Sequence, residues 1–204
     1  MPLYGEEVRS IVKLKRVTID QVSERTLILN LYSTQAIIFI VAWALLWWQN
    51  RFTWELWHFE SASVWLWGIG MGMVVVVVDL TLSRLFPQFM VDNSGLNEKL
   101  FRNRAVWHIF LMAAVVALCE ELLFRGALQP LIGIFWTSVI FTFIHFRYLA
   151  QWMMIVVVFF ISLGLGGLLQ ITGSLIAPVV AHFVIDFTLG VLLRFGFLEH
   201  FISE

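Results

Sequence analysis

The stretch Cys119-Glu120-Glu121-Leu122-Leu123-Phe124-Arg125-Gly126 carries the only three formal charges between residues 109 and 140. A charged side chain at the centre of a bilayer costs about 2.5–3.5 kcal/mol even on a lenient insertion scale, so three in one apolar run need a cause. On a helix, Glu121 and Arg125 are four residues apart on one face. The acid is N-terminal to the base, the favourable order for an ion pair. Glu120 sits about 100° further round the helix, so one guanidinium cannot serve both acids equally. The carboxylate left over could act as a general base on water. The competing reading is a structural ion-pair cluster that holds helices together.

Three further residues extend the set: His145, and the pair His182 and Asp186, which are four apart and share a helical face. Glu120 falls about 22 Å into its helix, and His145 a similar way into the next, antiparallel one. Both therefore reach the middle of a hydrocarbon core about 30 Å thick. His182 and Asp186 also lie well inside an apolar stretch. A single buried histidine is commonly a hydrogen-bonded core residue, and an i,i+4 His–Asp pair a simple face contact. Six ionisable groups at one depth are costly unless they face one polar cavity. Such a cavity suits a hydrolase: a carboxylate base, a histidine sharing its water, and a second histidine near an oxyanion. Glu120, His145 and His182 could equally hold zinc with an open position for water, although no HExxH helix is present. The cofactor is thus either none or Zn2+. A proton or ion path through the same groups is the remaining alternative.

The rest of the chain must place these groups inside a membrane. It has 204 residues, of which 60% are hydrophobic and 13% charged, and a mean hydropathy of +0.88. Soluble domains are about 45–50% apolar and about 25% charged, so the composition is that of an integral membrane protein. The fold class expected is all-α, a polytopic transmembrane bundle of about six spans, at residues 27–48, 62–82, 105–129, 131–146, 152–170 and 175–195. Pro130 is expected to end the third span. Gly164, Gly166 and Gly167 suit close helix approach in the fifth. Residues 87–104 form the longest polar loop, with Asp92-Asn93-Ser94-Gly95 as its turn. Arg147 and Tyr148 make a short connection. Asp79, near a membrane edge and close to Arg84, reads as a snorkelling or paired acid.

Residues 1–26 hold Arg9, Lys13, Lys15, Arg16 and Arg25 and form a basic segment, either solvated or an interfacial helix. Residues 27–204 then form one transmembrane domain. Arg84, Lys99, Arg102 and Arg104 share the N-terminal side, which by the positive-inside rule is cytoplasmic; a plasma-membrane location follows. The net charge of −1 argues against nucleic acid as a partner, and the single cysteine, Cys119, excludes an internal disulfide.

Glu120-Glu121-xxx-Arg125, Phe141-xxx-His145, and Thr172-Gly173-Ser174-Leu175-xx-Pro178 followed by His182-xxx-Asp186 together resemble the CAAX prenyl endopeptidase type II and bacteriocin-processing (CPBP, or Abi) family of intramembrane proteases. The resemblance covers residues 105–190. It implies a multi-helix core and hydrolysis of a peptide bond in a membrane-embedded or lipidated peptide or protein. It implies Glu120 and His145 activating water, His182 and residue 186 around the oxyanion, and Glu121 and Arg125 in support. Both metal-dependent and metal-independent mechanisms have been described for the family. Many members have Asn where this chain has Asp186, and an ionised Asp cannot donate to an oxyanion. Asp186 would then be protonated, orient His182, or bind metal. A non-catalytic scaffold or bacteriocin-immunity protein of the same family is the alternative function.

Overall fold

In a computed structural model, the residues described are 22–51, 54–57, 59, 61–90, 95–145 and 151–197. All regular structure among them is helical. Helix α1 is Glu24–Trp48, α2 Ala62–Leu85, α3 Pro87–Met90, α4 Leu96–Phe101 and α5 Val106–Glu121. A widened π-helical segment, Leu122–Leu128, joins α5 to α6, Gln129–Ile144. Helices α7, Trp152–Thr172, and α8, Ile176–Arg194, complete the bundle. A short 3-10 turn, Trp54–Leu56, lies between α1 and α2. The basic segment, the turn residues 92–94 and the Arg147-Tyr148 connection fall outside the described residues.

Five helices are long and apolar enough to cross a membrane. The six-span expectation is met differently from the way the sequence suggests. The third and fourth spans form one helical run of 39 residues, Val106–Ile144, folded back at Gly133. Phe124 and Phe141 are 17 positions apart, about 25 Å on a straight helix, yet their ring centroids lie 4.9 Å apart. Gly133 has φ 77° and ψ 167°, a combination a side chain would oppose, and there the chain reverses. The expected stop at Pro130 is therefore three residues early. Pro130 sits in the first turn of α6, where its missing N–H costs little. The return arm, residues 134–144, measures about 16 Å, half the thickness of a hydrocarbon core. Glu121 and His145 lie 12 residues on either side of Gly133, so each is about 18 Å from the hairpin tip.

The bundle has two ends. Glu24, at the start of α1, pairs with Arg104 at 3.0 Å, and Arg194, at the end of α8, donates to the Arg102 carbonyl. Both ends of the described chain therefore meet at the α4–α5 connection, as an even number of crossings requires. The long polar loop is not all loop: α3 and α4 lie within it, and Arg102 pairs with Glu98 one turn back. Asp79 lies about 9 Å before the end of α2 at this same side.

Helices α2 and α8 run side by side in the same direction. Val64, Gly68, Gly72 and Val76 repeat every four residues and form the buried stripe of α2. A Cβ on Gly68 would lie 2.7 Å from the Ala177 carbonyl, and one on Gly72 would lie 2.8 Å from Val184 Cβ. Lipid tails are as apolar as a side chain, so close van der Waals packing must hold these helices together. In α7, Gly164 abuts Met71 and Gly166 abuts Ile134 and Gln129, as the sequence suggests; Gly167 faces open space. The tryptophans at the far end of α1, Trp47 and Trp48, are exposed, as lipid-facing residues would be.

Candidate active site

The site forms where α5 passes into the π segment. Widened turns of this kind are rare and concentrate at functional sites. Here the π segment carries Arg125 inward, 1% exposed, against Glu121, which is wholly buried. Arg125 Nη1 donates to Glu121 Oε1 at 3.1 Å. Its Nε approaches Glu121 Oε2 at the same distance, but off hydrogen-bond alignment, so that arm of the pair is Coulombic. Arg125 Nη2 donates to both the carbonyl and the hydroxyl of Ser162 on α7, at 3.0 and 2.9 Å. The guanidinium also lies 4.7 Å from the centre of the Phe141 ring, a cation–π distance. A charge this deeply buried is tolerated only when its donors are satisfied in this way.

Glu121 does more than support the arginine. Its Oε1 also meets His182 Nδ1 at 2.8 Å. The two residues are 61 positions apart, a link that no local spacing could reveal. A carboxylate can only accept, so Nδ1 carries the proton and Nε2 is aimed away from α5. Asp186 Oδ2 lies 3.5 Å from that Nε2, at the outer limit of a hydrogen bond. The i,i+4 pairing read from the sequence is present but loose.

Glu120 faces the other way, toward α1. Gln35 Nε2 donates to Glu120 Oε1 at 3.1 Å, and both residues are 6% exposed. Glu120 Oε2 and Gln35 Oε1 are buried with no protein partner. Sequence reasoning did not single out Gln35, although a glutamine within an apolar span is itself a sign of an inward-facing position. Ser162 was missed for the same reason.

His145 closes the return arm of the hairpin. Its Nδ1 lies 2.7 Å from the Phe141 carbonyl, which fixes the proton there and the basic lone pair on Nε2. The Phe141 ring lies 4.6 Å from the His145 ring and 6.2 Å from that of His182. Phe141 thus stands at the centre, with Arg125, His145 and His182 around it. The structure brings Glu121, Arg125 and His182 into direct contact, Asp186 to their edge, Glu120 to the next face of the same turn, and His145 across the Phe141 ring.

A zinc ion held by Glu120, His145 and His182 does not fit this arrangement. Among the described residues, no three His, Cys, Asp or Glu side chains are grouped as a metal site requires. His182 has one ring nitrogen bonded to Glu121 and the other turned to Asp186.

The fold and site are those of an integral, polytopic helical membrane protein with a buried acid–base cluster between its helices. Residues 102–188 match the family described as Type II CAAX prenyl endopeptidase Rce1-like. The chain is also 36% identical over 141 residues to the uncharacterized protein YpbD of Bacillus subtilis (strain 168), across 69% of this chain and 75% of that protein. No solved structure matches the chain significantly. The chain belongs to the type II CAAX prenyl endopeptidase Rce1-like family.

Proposed function

We propose that this protein is an intramembrane endopeptidase that hydrolyses a peptide bond of a membrane-embedded or lipidated peptide or protein. One observation carries the reading: of two adjacent buried carboxylates, Glu121 is engaged by Arg125 and His182, while Glu120 keeps an oxygen that no protein group uses. A general base needs such an oxygen.

In this reading a water molecule on Glu120 Oε2 attacks the scissile carbonyl carbon. The new C–O bond forms as the carbonyl π pair moves onto oxygen, and Glu120 takes one water proton. That proton passes to the amide nitrogen as the C–N bond breaks, giving a carboxylic acid and an amine. His145 Nε2 accepts from the same water. His182, held at Nδ1 by Glu121, turns its Nε2 toward the oxyanion, the orienting logic of a carboxylate behind an imidazole. Asp186 orients that nitrogen until substrate arrives, a role that fits a carboxylate where Asn would donate directly. Residues 27–204 act as one membrane domain around a protease-like core, residues 105–190. Its N-terminal end is cytoplasmic and it resides in the plasma membrane, a reading supported by the basic residues at that end.

The test is the peptide content of membranes from cells carrying Glu120→Ala in place of the wild-type chain. A membrane peptide that accumulates uncut, and disappears when the wild-type chain is restored, supports the reading. Identical peptide profiles would remove it and leave the scaffold function, which predicts that Glu120→Ala still complements a deletion.

A further inference from the structure

We infer that Gln35 is a positioning residue, holding Glu120 and the water it activates; this rests on the reading of Glu120 as the base. Gln35 belongs to α1, which lies outside the segment matched to the family, residues 102–188. Most of α1 faces outward; its buried residues are Gln35, Ala42 and Leu46. Ala42 and Leu46 pack into an apolar cluster with Leu122, Ala127 and Leu175, and so need no further explanation. A buried amide does, because an unpaired one costs free energy.

Only one orientation of that amide is possible. An ionised carboxylate accepts and does not donate, so the nitrogen of Gln35 must face Glu120 Oε1. The amide oxygen is then left without a protein donor, as is Glu120 Oε2. Two joined side chains thus present two buried acceptors, and a water molecule has two hydrogens to donate. With one hydrogen on Glu120 Oε2 and the other on Gln35 Oε1, the lone pairs of the water point out toward a scissile carbonyl. On attack the Oε2-bound proton passes to Glu120, and the other hydrogen stays on the new carboxylic acid. Holding Oε1 also stops the carboxylate from rotating, which keeps Oε2 as the proton acceptor throughout.

A purely structural hydrogen bond between α1 and α5 is the competing account, and the kinetic constants separate the two. Gln35→Met keeps the length and removes both donor and acceptor. Gln35→Glu keeps the shape, loses the donor and sets a like charge beside Glu120, and serves if the methionine variant does not fold. The assay is cleavage of a transmembrane peptide reporter in detergent, alongside wild type and Glu120→Gln. For the variant that folds, the expected result is a kcat lower by roughly ten- to hundredfold, the loss of one hydrogen bond to a charged group, with KM and Tm near wild type. In the Glu120→Gln background the same change should add almost nothing, since it acts through that residue. Wild-type kcat in the Gln35 variants overturns the inference and leaves Glu120 as the base. A fall in activity that tracks Tm, or one that adds in full to Glu120→Gln, makes Gln35 structural and also overturns it. Undiminished cleavage by Glu120→Gln is the separate result that removes the underlying reading, and the inference with it.

Discussion

The two faces of one helical turn differ in how far their polar groups are satisfied. On the face toward α7 and α8, Glu121, Arg125, Ser162 and His182 exchange four hydrogen bonds, and a further ion-pair contact joins Glu121 to Arg125. On the face toward α1, Glu120 and Gln35 share one bond and leave two acceptors over. The first face resembles a bolt and the second a socket. A buried network stabilises when its members are satisfied and is costly when they are not. The unsatisfied face is therefore the one expected to serve chemistry, and the satisfied face the one expected to hold the fold.

The sharpest way to break this contrast is Arg125→Ala. It leaves Glu121 buried without its cation, and removing one member of a buried pair costs about 3–5 kcal/mol. Folded yield and Tm in detergent should fall steeply. A Tm equal to wild type would show that the α7–α8 face is not what holds the bundle.

The opposite face is tested by Glu120→Gln. The shape and the buried position remain, so Tm should stay near wild type, while peptide cleavage falls by at least about 10²-fold, the low end for loss of a general base. If cleavage persists at the wild-type rate, the free carboxylate oxygen is not the base and the contrast has no functional meaning.

Much of the first face was legible in the sequence. The i,i+4 spacing of Glu121 and Arg125 follows from helical geometry, and the π widening does not undo it. His145 and Glu120 were placed at one depth by counting residues, and the fold at Gly133 preserves that count. The position of the fold was less visible. Pro130 is the stronger breaker in a helical pattern, but a proline near a helix start is tolerated, whereas the φ of Gly133 is known only from the structure. The bond from Glu121 to His182 and that from Glu120 to Gln35 join helices far apart in sequence. Nothing periodic encodes which face of α1 meets α5. The Gly68–Gly72 contact with α8 was hidden for a similar reason: small residues permit close approach without naming the partner.

A finer test of the satisfied face is Ser162→Ala. Arg125 Nη2 uses both the hydroxyl and the carbonyl of Ser162, and the substitution removes only the hydroxyl. The carbonyl remains as an acceptor, so the loss should be about 0.5–1.5 kcal/mol, well below that of Arg125→Ala, with kcat unchanged. A loss of Tm as large as for Arg125→Ala would mean that the hydroxyl, rather than the guanidinium and its carboxylate, is the critical element of the face.

The smallest expected effect is that of a strong chelator on cleavage, and its size depends on which face His182 belongs to. A zinc ligand must offer a deprotonated nitrogen, commonly with a second partner orienting the ring from its far side. The Nδ1 of His182 is committed to Glu121, which could be such a partner. Its Nε2, however, faces Asp186, and His145 lies across the Phe141 ring. Bringing Glu120, His145 and His182 onto one ion would require breaking this arrangement on the satisfied face, where polar groups have least freedom to move. Cleavage should therefore survive prolonged chelation, and zinc measured by elemental analysis of the active protein should be well below one equivalent per chain. About one equivalent of zinc, lost in step with activity and regained with it, would show that His182 leaves Asp186 to bind metal, and that the boundary between the two faces moves when the enzyme is active.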